Sequence, residues 1–296
     1  SLGICSYAIV DGIDAIVYDT HVSVAHARAI RAAIEQLGAR RIRVVLSHWH
    51  LDHVAGNEVF ADCEIIASRA TGALLAEHRS AIEAGTLEGP PAIAPLALPT
   101  TLFEERLRRD TRNLKVELVQ FEIHSRDATV MHLPDAGVLL AGDTVEEPVT
   151  YVSEADRLEV HVRELGRMQS LDATRIVPNH GSREAIERGG YDDTLIDATQ
   201  RYINALLAIA GQPRGPTWLR NSSNPEPSAS SISEMTRSNV GGLSADCPSM
   251  ETASRKLDAC RPPQPLRPRT RRNQRAQSRW SAASGTSNEE RQRRRG

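Results

Sequence analysis

Residues 42–53, which read IRVVLSHWHLDH, decide the fold class and point to a chemistry. The short, mostly apolar run at residues 42–46 is typical of a strand that is buried on both faces. It leads directly into three histidines and an aspartate, so these side chains stand where a central strand ends. The chain has 10 histidines in 296 residues. Three at fixed places in one short window are then expected about 0.01 times by chance, which indicates a site.

The segments around this run predict an α/β or α+β chain with mixed sheets. Two apolar runs, residues 7–10 and 13–18, flank the turn dipeptide Asp11-Gly12, so we expect a β-hairpin. Apolar residues at helical spacing predict a helix over residues 23–37. The remaining pattern predicts strands at residues 64–67, 116–123, 128–133, 138–141 and 175–177, helices at 68–84, 154–170 and 192–210, and a Gly- and Pro-rich loop at 85–99 that is free to lie over a site.

The composition excludes several classes of protein. With 40% hydrophobic and 25% charged residues and a formal net charge of -2, the chain is neither collagen-like nor a long coiled coil. No run approaches the roughly 18 apolar residues of a spanning helix, so no membrane partner is expected. The lack of a CxxC pair argues against a disulfide scaffold and a cysteine-built zinc site; the cysteines are Cys5, Cys63, Cys247 and Cys260.

The two ends of the chain carry separate expectations. The chain starts at Ser1 and reaches a strand at once, which predicts an N-terminally truncated domain. Nothing marks it for export, so the default location is cytoplasmic. Residues 1–210 are expected to fold, whereas residues 211–296, rich in Pro, Ser and Arg, are expected to be disordered. The alternative is that residues 211–296 form a basic arm that binds nucleic acid. This alternative is disfavoured because no aromatic residues alternate with the arginines.

The histidine run predicts metal ligands. In an extended segment residues two apart face the same way, so His48, His50 and Asp52 can converge on one point. A turn at Asp52-His53 would swing His53 towards a neighbouring point, which predicts two adjacent metal sites. Histidine and carboxylate ligands without thiolate suit Zn²⁺, and also Fe or Mn.

Other strand ends supply further candidates. His124 and His180 each follow an expected strand, and Asp143 is delivered by an apolar strand through Gly142. Two cations about 3.5–4 Å apart need an anionic bridge, and Asp143 suits that role. Glycine at position 142 would let the backbone come close to its neighbours.

The run His48-Trp49-His50-Leu51-Asp52-His53 resembles the HxHxDH motif of the metallo-β-lactamase superfamily, over residues 5–210. The resemblance implies a four-layer αββα sandwich of two mixed β-sheets flanked by helices, with the site where the sheets meet at one edge. It also implies that His48, His50 and His124 hold one metal, that Asp52, His53 and His180 hold a second, and that Asp143 bridges both. Within the family, a ligand set with a bridging Asp143 is similar to that of glyoxalase II and the lactonases. The same residue argues against a true β-lactamase. Two positions depart from the usual family pattern, Ile123 and His21, where glycines are common.

The resemblance implies a dinuclear zinc hydrolase that cleaves an ester, lactone, thioester or amide of a small molecule. A hydroxide between two metals would be the nucleophile, and Asp52 would orient it. One alternative is a mononuclear iron oxygenase similar to persulfide dioxygenases. The other is a nucleic-acid-processing or binding protein that uses the arginine-rich tail. The sequence makes no prediction about oligomeric state.

The remaining candidates receive lesser roles. Asp127 and Asn179 could steer ligand histidines, as metal sites require. Tyr151 is expected to anchor a loop rather than to contact substrate, and Trp49 is expected to pack in the core. The histidines outside the ligand spacing are expected to be solvated or locally hydrogen-bonded; these are His21, His26, His78, His132 and His161.

Overall fold

The computed structural model describes residues 3–87 and 91–210, and the predicted tail at 211–296 lies outside the described residues. The strands are β1 (Tyr7–Asp11), β2 (Asp14–Tyr18), β3 (Arg41–Val45), β4 (Glu64–Ser68), β5 (Thr101–Phe103), β6 (Arg106–Arg108), β7 (Glu117–Gln120), β8 (Thr129–Leu133), β9 (Val138–Gly142) and β10 (Arg175–Pro178). The helices are α1 (Val24–Gln36), α2 (Leu51–Val54), α3 (Arg69–Ala84), α4 (Leu158–Gln169), α5 (Arg183–Glu187) and α6 (Thr194–Ala210).

The predicted hairpin and long helices form for reasons that are visible in the sequence. β1 and β2 pair antiparallel around Gly12, which has a φ of +64°. Ser23 caps α1 by accepting a hydrogen bond from the backbone N–H of His26, and Ser68 caps α3 through the N–H of Thr71. The hairpin and both helix starts are therefore fixed by local signals.

The ten strands form two sheets of five. In the first, the order is β1-β2-β3-β4-β5, and all pairs after the hairpin are parallel. In the second, the order is β10-β9-β8-β7-β6, and only β10 and β9 pair parallel. Both sheets are mixed, as the family resemblance implies.

Three hydrophobic clusters show that the layers follow the order helix, sheet, sheet, helix. Because side chains alternate along a strand, Val17 of β2 packs against the layer of α1 and α3, and Tyr18 packs between the sheets. In β9, Leu139 packs towards α4 and α6, and Leu140 packs between the sheets. The αββα sandwich predicted from the resemblance is confirmed.

Some predictions differ from the structure. β3 was predicted to be buried on both faces, but it is fully buried only in its second half, and Arg43 lies half-buried. The sequence pattern predicted no strand at residues 106–108, but these residues form β6, in which Leu107 packs between the sheets. Within the stretch 85–99, Leu96 is buried in the core beside α3, so this part does not lie free over the site. Among the described residues, no helix is long and apolar enough to cross a membrane.

Candidate metal centre

The predicted ligands lie where strands of both sheets end. The histidine run follows β3 in the first sheet. In the second sheet, Asp143 follows β9 and His180 follows β10, which is parallel to β9. His124 lies in the turn between β7 and β8, with a φ of +66°. A positive φ is strained for a residue other than glycine, and such strain is common at functional sites.

Three imidazoles form a first cluster. Ring nitrogens of His48, His50 and His124 all lie within 4.8 Å of one another. Nε2 of His124 is 3.1 Å from Nδ1 of His50. Two nitrogens that bind one tetrahedral zinc at about 2.0–2.1 Å are separated by about 3.3 Å, so this spacing fits a shared ion.

A second cluster lies beside the first. Asp52, His53 and His180 also place ligand atoms within 4.8 Å of one another. Oδ1 of Asp52 is 3.5 Å from Nε2 of His53, and its Oδ2 is 3.5 Å from Nε2 of His180. The two clusters contain six of the seven predicted ligands.

Asp143 lies between the clusters. Its Oδ2 is 3.1 Å from Nε2 of His53 and 3.4 Å from Nε2 of His180. The same oxygen is 3.7 Å from Nε2 of His48 and 4.0 Å from Nε2 of His124. One carboxylate oxygen thus faces both clusters, which is the arrangement required of a bridging ligand.

The grouping of Asp52 corrects one geometric expectation. An extended segment would place Asp52 with His48 and His50, but α2 begins at Leu51, so the period of two ends at His50. The helical turn carries Asp52 to the side of His53 and His180. This is the grouping that the family resemblance implied.

The buried nitrogens test whether the site fits a metal. Nε2 of His48, Nε2 of His53 and Oδ1 of Asp143 are buried and have no hydrogen-bond partner among residues 3–87 and 91–210. Buried polar atoms are normally satisfied, so atoms of this kind need another partner. Imidazole and carboxylate groups are good ligands for zinc, iron and manganese. The residues present fit a metal centre.

Asp19 orients the ligands from beneath, and the sequence analysis missed it. Its Oδ2 accepts hydrogen bonds from Oγ of Ser47 at 2.6 Å and from Nδ1 of His53 at 2.8 Å. Asn179 also donates to this oxygen, as its predicted steering role requires. Asp19 reaches the start of the histidine run because β2 and β3 are parallel and adjacent, a pairing that only the fold shows.

The hydrogen bonds also set which ring nitrogen is free. Oγ of Ser47 donates its proton to Asp19, so at 2.9 Å it accepts from Nδ1–H of His48. Nδ1 of His53 donates to Asp19, and Nδ1 of His124 donates to the carbonyl of Tyr151 at 2.9 Å. In the neutral form of each of these three rings, Nε2 keeps its lone pair towards the site, and this is the form that binds a metal.

The electrostatics differ between the two clusters. Burial and the neighbouring imidazoles lower the pKa of His48, and burial with His124 lowers the pKa of His50 to about 3. Burial also disfavours charge on His180, but hydrogen bonds to Asp143 and Asp52 raise its pKa to about 10. The first cluster therefore favours neutral rings, and the second favours a positive charge among carboxylates.

Glu146 is a second residue that the sequence analysis missed. It is 4% exposed, and its carboxylate lies within 4.8 Å of ligand atoms of His124 and Asp143. Burial, reinforced by the negative charge of Asp143, raises its pKa to about 8. Its position three residues after Asp143 carries no periodic signal, so the sequence offered no means of finding it.

The lesser candidates have mixed outcomes. Trp49 packs in the core, where its ring stacks on His78 at a centroid distance of 4.8 Å. Asp127 holds the turn after His124 by accepting hydrogen bonds from Ser125 and Thr71. His161 was expected to be solvated or locally hydrogen-bonded. It is not solvated, because it is 1% exposed on α4, and its Nε2 has no hydrogen-bond partner among the described residues.

Comparisons with known proteins agree with the fold. Residues 3–180 match the family model of the metallo-beta-lactamase superfamily. No curated protein matches the sequence. A solved metallo-beta-lactamase from Pontibacter korlensis is similar, with 19% identity, a TM-score of 0.54, and coverage of 67% of this chain and 85% of that one.

Two further solved structures are similar to the chain at the level of the fold. A metallo-beta-lactamase family protein from Thermus thermophilus has 18% identity, a TM-score of 0.56, and coverage of 72% of this chain and 79% of that one. The DIM-1 metallo-beta-lactamase has 20% identity, a TM-score of 0.52, and coverage of 69% of this chain and 86% of that one. Since the family model spans more than half of the sequence, the chain belongs to the metallo-beta-lactamase superfamily.

Proposed function

We propose that this protein is a metal-dependent hydrolase with a dinuclear zinc site, which cleaves an ester, lactone, thioester or amide bond of a small molecule. The observation that carries the proposal is the position of Asp143. Its Oδ2 lies 3.1–4.0 Å from the Nε2 atoms of four histidines, His48, His53, His124 and His180. No other function considered for this chain uses two adjacent ligand clusters.

The ligand residues divide between two ions. His48, His50 and His124 would hold the first metal, Asp52, His53 and His180 would hold the second, and Asp143 would contact both. Two bound zinc ions would lower the pKa of water towards about 7 and polarise the carbonyl of the substrate. No serine or cysteine nucleophile is then required.

Asp52 is the ligand carboxylate that solvent reaches. Its side chain is 39% exposed, whereas that of Asp143 is 6% exposed. The exposed carboxylate can accept a hydrogen bond from a water molecule and hold it in line with the scissile carbonyl. We therefore assign Asp52 the orienting role and Asp143 the structural, bridging role.

The surroundings suit a small-molecule substrate. A cleft of about 740 Å³ borders the segment that carries His180. Its walls combine apolar side chains, such as Ile4 and Ile186, with the charged side chains of Glu147, Arg183 and Glu187. Small-molecule sites are commonly apolar clefts of this size. On the other side, Tyr151 is 36% exposed, with its ring 5.8 Å from the ring of His124.

A reconstitution assay tests the proposal. The full chain would be stripped with a chelator, reloaded with zinc, and assayed on a panel of esters, lactones, thioesters and amides. We expect hydrolysis of at least one class, loss on chelation and recovery with zinc. A folded, zinc-loaded chain that is inactive on the whole panel would refute the assignment.

An iron oxygenase is the second candidate, because the ligand set contains only imidazoles and carboxylates, which also suit iron. The two functions differ in the metal they need. Activity restored by iron under oxygen, and not by zinc, would favour the oxygenase. The nucleic-acid alternative rests on residues 211–296, and no observation among the described residues favours it.

A further inference from the structure

His124 is the first-cluster ligand whose position depends on an irregular loop. Its Nδ1–H donates to the backbone carbonyl of Tyr151 at 2.9 Å. Residues 143–154, between β9 and the short 3-10 turn at Ala155–Arg157, form neither helix nor strand. No sheet ladder holds that carbonyl in place, so something else must fix it.

Glu146 closes the loop onto itself. Its Oε2 accepts a hydrogen bond from the backbone N–H of Tyr151 at 2.8 Å. In return, the backbone N–H of Glu146 donates to Oγ1 of Thr150 at 3.1 Å. The two bonds are reciprocal, as in a capping box, and they fix the residue whose carbonyl binds His124.

Helix α6 anchors this closed loop to the core. Oγ1 of Thr199 donates to the carbonyl of Leu195 at 2.9 Å, which uses its only proton. The contact of 3.3 Å between the hydroxyls of Thr150 and Thr199 must then be donated by Thr150. This leaves the lone pairs of Thr150 to accept from Glu146. Each proton in this series of hydrogen bonds therefore has one acceptor.

The side chains that make these hydrogen bonds are all buried. Thr150 is 3% exposed, Thr199 is 4% exposed and Glu146 is 4% exposed, and the ring that they support, His124, is 2% exposed. Water is therefore poorly placed to replace a lost partner, and a missing bond would let the Tyr151 carbonyl move.

We propose that Glu146 is a positioning residue for the metal centre. It holds the backbone of Tyr151 so that the carbonyl keeps the proton of His124 on Nδ1 and leaves Nε2 free for the first metal. The inference rests on the proposed function in that it assumes a metal at the first cluster. It goes further by naming the residue outside the ligand set on which that cluster depends.

The test compares three variants of the full chain. In Glu146→Ala the acceptor is lost, in Glu146→Gln an amide oxygen can still accept from Tyr151, and in Thr150→Val the reciprocal bond is lost without a change in size. The matched control is Glu159→Ala, which removes an exposed carboxylate on α4.

Two measurements apply to each variant. In the metal-free chain, nitrogen NMR of labelled histidine reports the tautomer of His124. Chelator competition then reports the affinity for each zinc equivalent. We expect Glu146→Ala to give mixed tautomers and to weaken one equivalent by about 10–100-fold. Glu146→Gln should stay within a few-fold of the wild type, and Thr150→Val should change in the direction of Glu146→Ala.

Two results would overturn the inference. One is a Glu146→Ala chain with the wild-type tautomer and affinities, or, if that chain does not fold, a Thr150→Val chain with both unchanged. The other is a Glu146→Gln chain as impaired as Glu146→Ala, which would make Glu146 a metal ligand. A chain that shows the expected changes but hydrolyses nothing would refute the proposed function and leave this inference standing.

Discussion

Oδ2 of Asp19 lies 2.8 Å from Nδ1 of His53, and both side chains are completely buried. The bond directs Nε2 of His53 towards Asp143. Partners of this kind fix the tautomer and raise the basicity of a metal-ligating histidine, and their loss usually costs about 10–100-fold in metal affinity.

We therefore predict that Asp19→Ala weakens the zinc equivalent held by His53 by about 10–100-fold. Chelator competition on the full chain measures this change. The control is Asp62→Asn, which alters an exposed carboxylate paired with Arg31, away from the site. Equal affinities for Asp19→Ala and wild type would show that the buried carboxylate does not orient the ligand.

His50→Ala is predicted to leave no more than about one zinc per chain, because it removes one of three ligands from the first cluster. Metal analysis after dialysis measures the stoichiometry. His78→Ala is a matched control, since this histidine stacks on Trp49 and belongs to none of the ligand clusters found among the described residues. A His50→Ala chain with full metal content would refute the ligand assignment.

Gly142→Ala is predicted to destabilise the fold by more than Gly12→Ala does. Both glycines have φ values near +60°, so both substitutions carry about 1–2 kcal/mol of backbone strain. A Cβ at 142 would also lie 3.1 Å from Cβ of Ser47 and from the hydroxyl of Tyr18, whereas a Cβ at 12 meets nothing within 4 Å. Urea unfolding of both variants isolates the packing contribution, and equal losses would show that residue 142 has room for a side chain.

His161 is predicted to make stability depend on pH. Burial lowers its pKa to about 4, while an unfolded chain binds the proton near pH 6.5. Between these values the unfolded state holds more protons, so stability falls as the pH drops from about 6.5 to 4, by up to about 3 kcal/mol.

Unfolding free energies at pH 7 and pH 4 test this contribution. His161→Gln and His161→Leu cannot titrate, so both should lose less stability than the wild type on acidification. The two variants differ in polarity and size, so a shared flattening identifies the charge as the cause. If both variants lose as much stability between pH 7 and pH 4 as the wild type does, His161 is not the source of the pH dependence.

The extent of the sequence prediction follows from how local each signal is. The hairpin at Gly12, the helix predicted over residues 23–37 and the ligand run after β3 depend on neighbouring residues, and the structure contains each of them. β6 was missed because its two arginines mask a single inward residue, Leu107. It is a strand because it pairs with β7, which the local pattern does not show.

The residues that support the ligands were missed for the same reason. Asp19 and His53 are 34 positions apart, and Thr150 and Thr199 are 49 positions apart. Their contacts arise only when the strand ends meet and α6 packs on the second sheet. Burial, which decides the roles of Glu146 and His161, is likewise a property of the folded chain.

The most direct test of the account is the metal content of the purified full chain, measured by mass spectrometry together with a check of folding. The arrangement of two ligand clusters around Asp143 predicts about two zinc ions per chain. A folded chain that binds no metal when zinc is supplied would contradict the central claim.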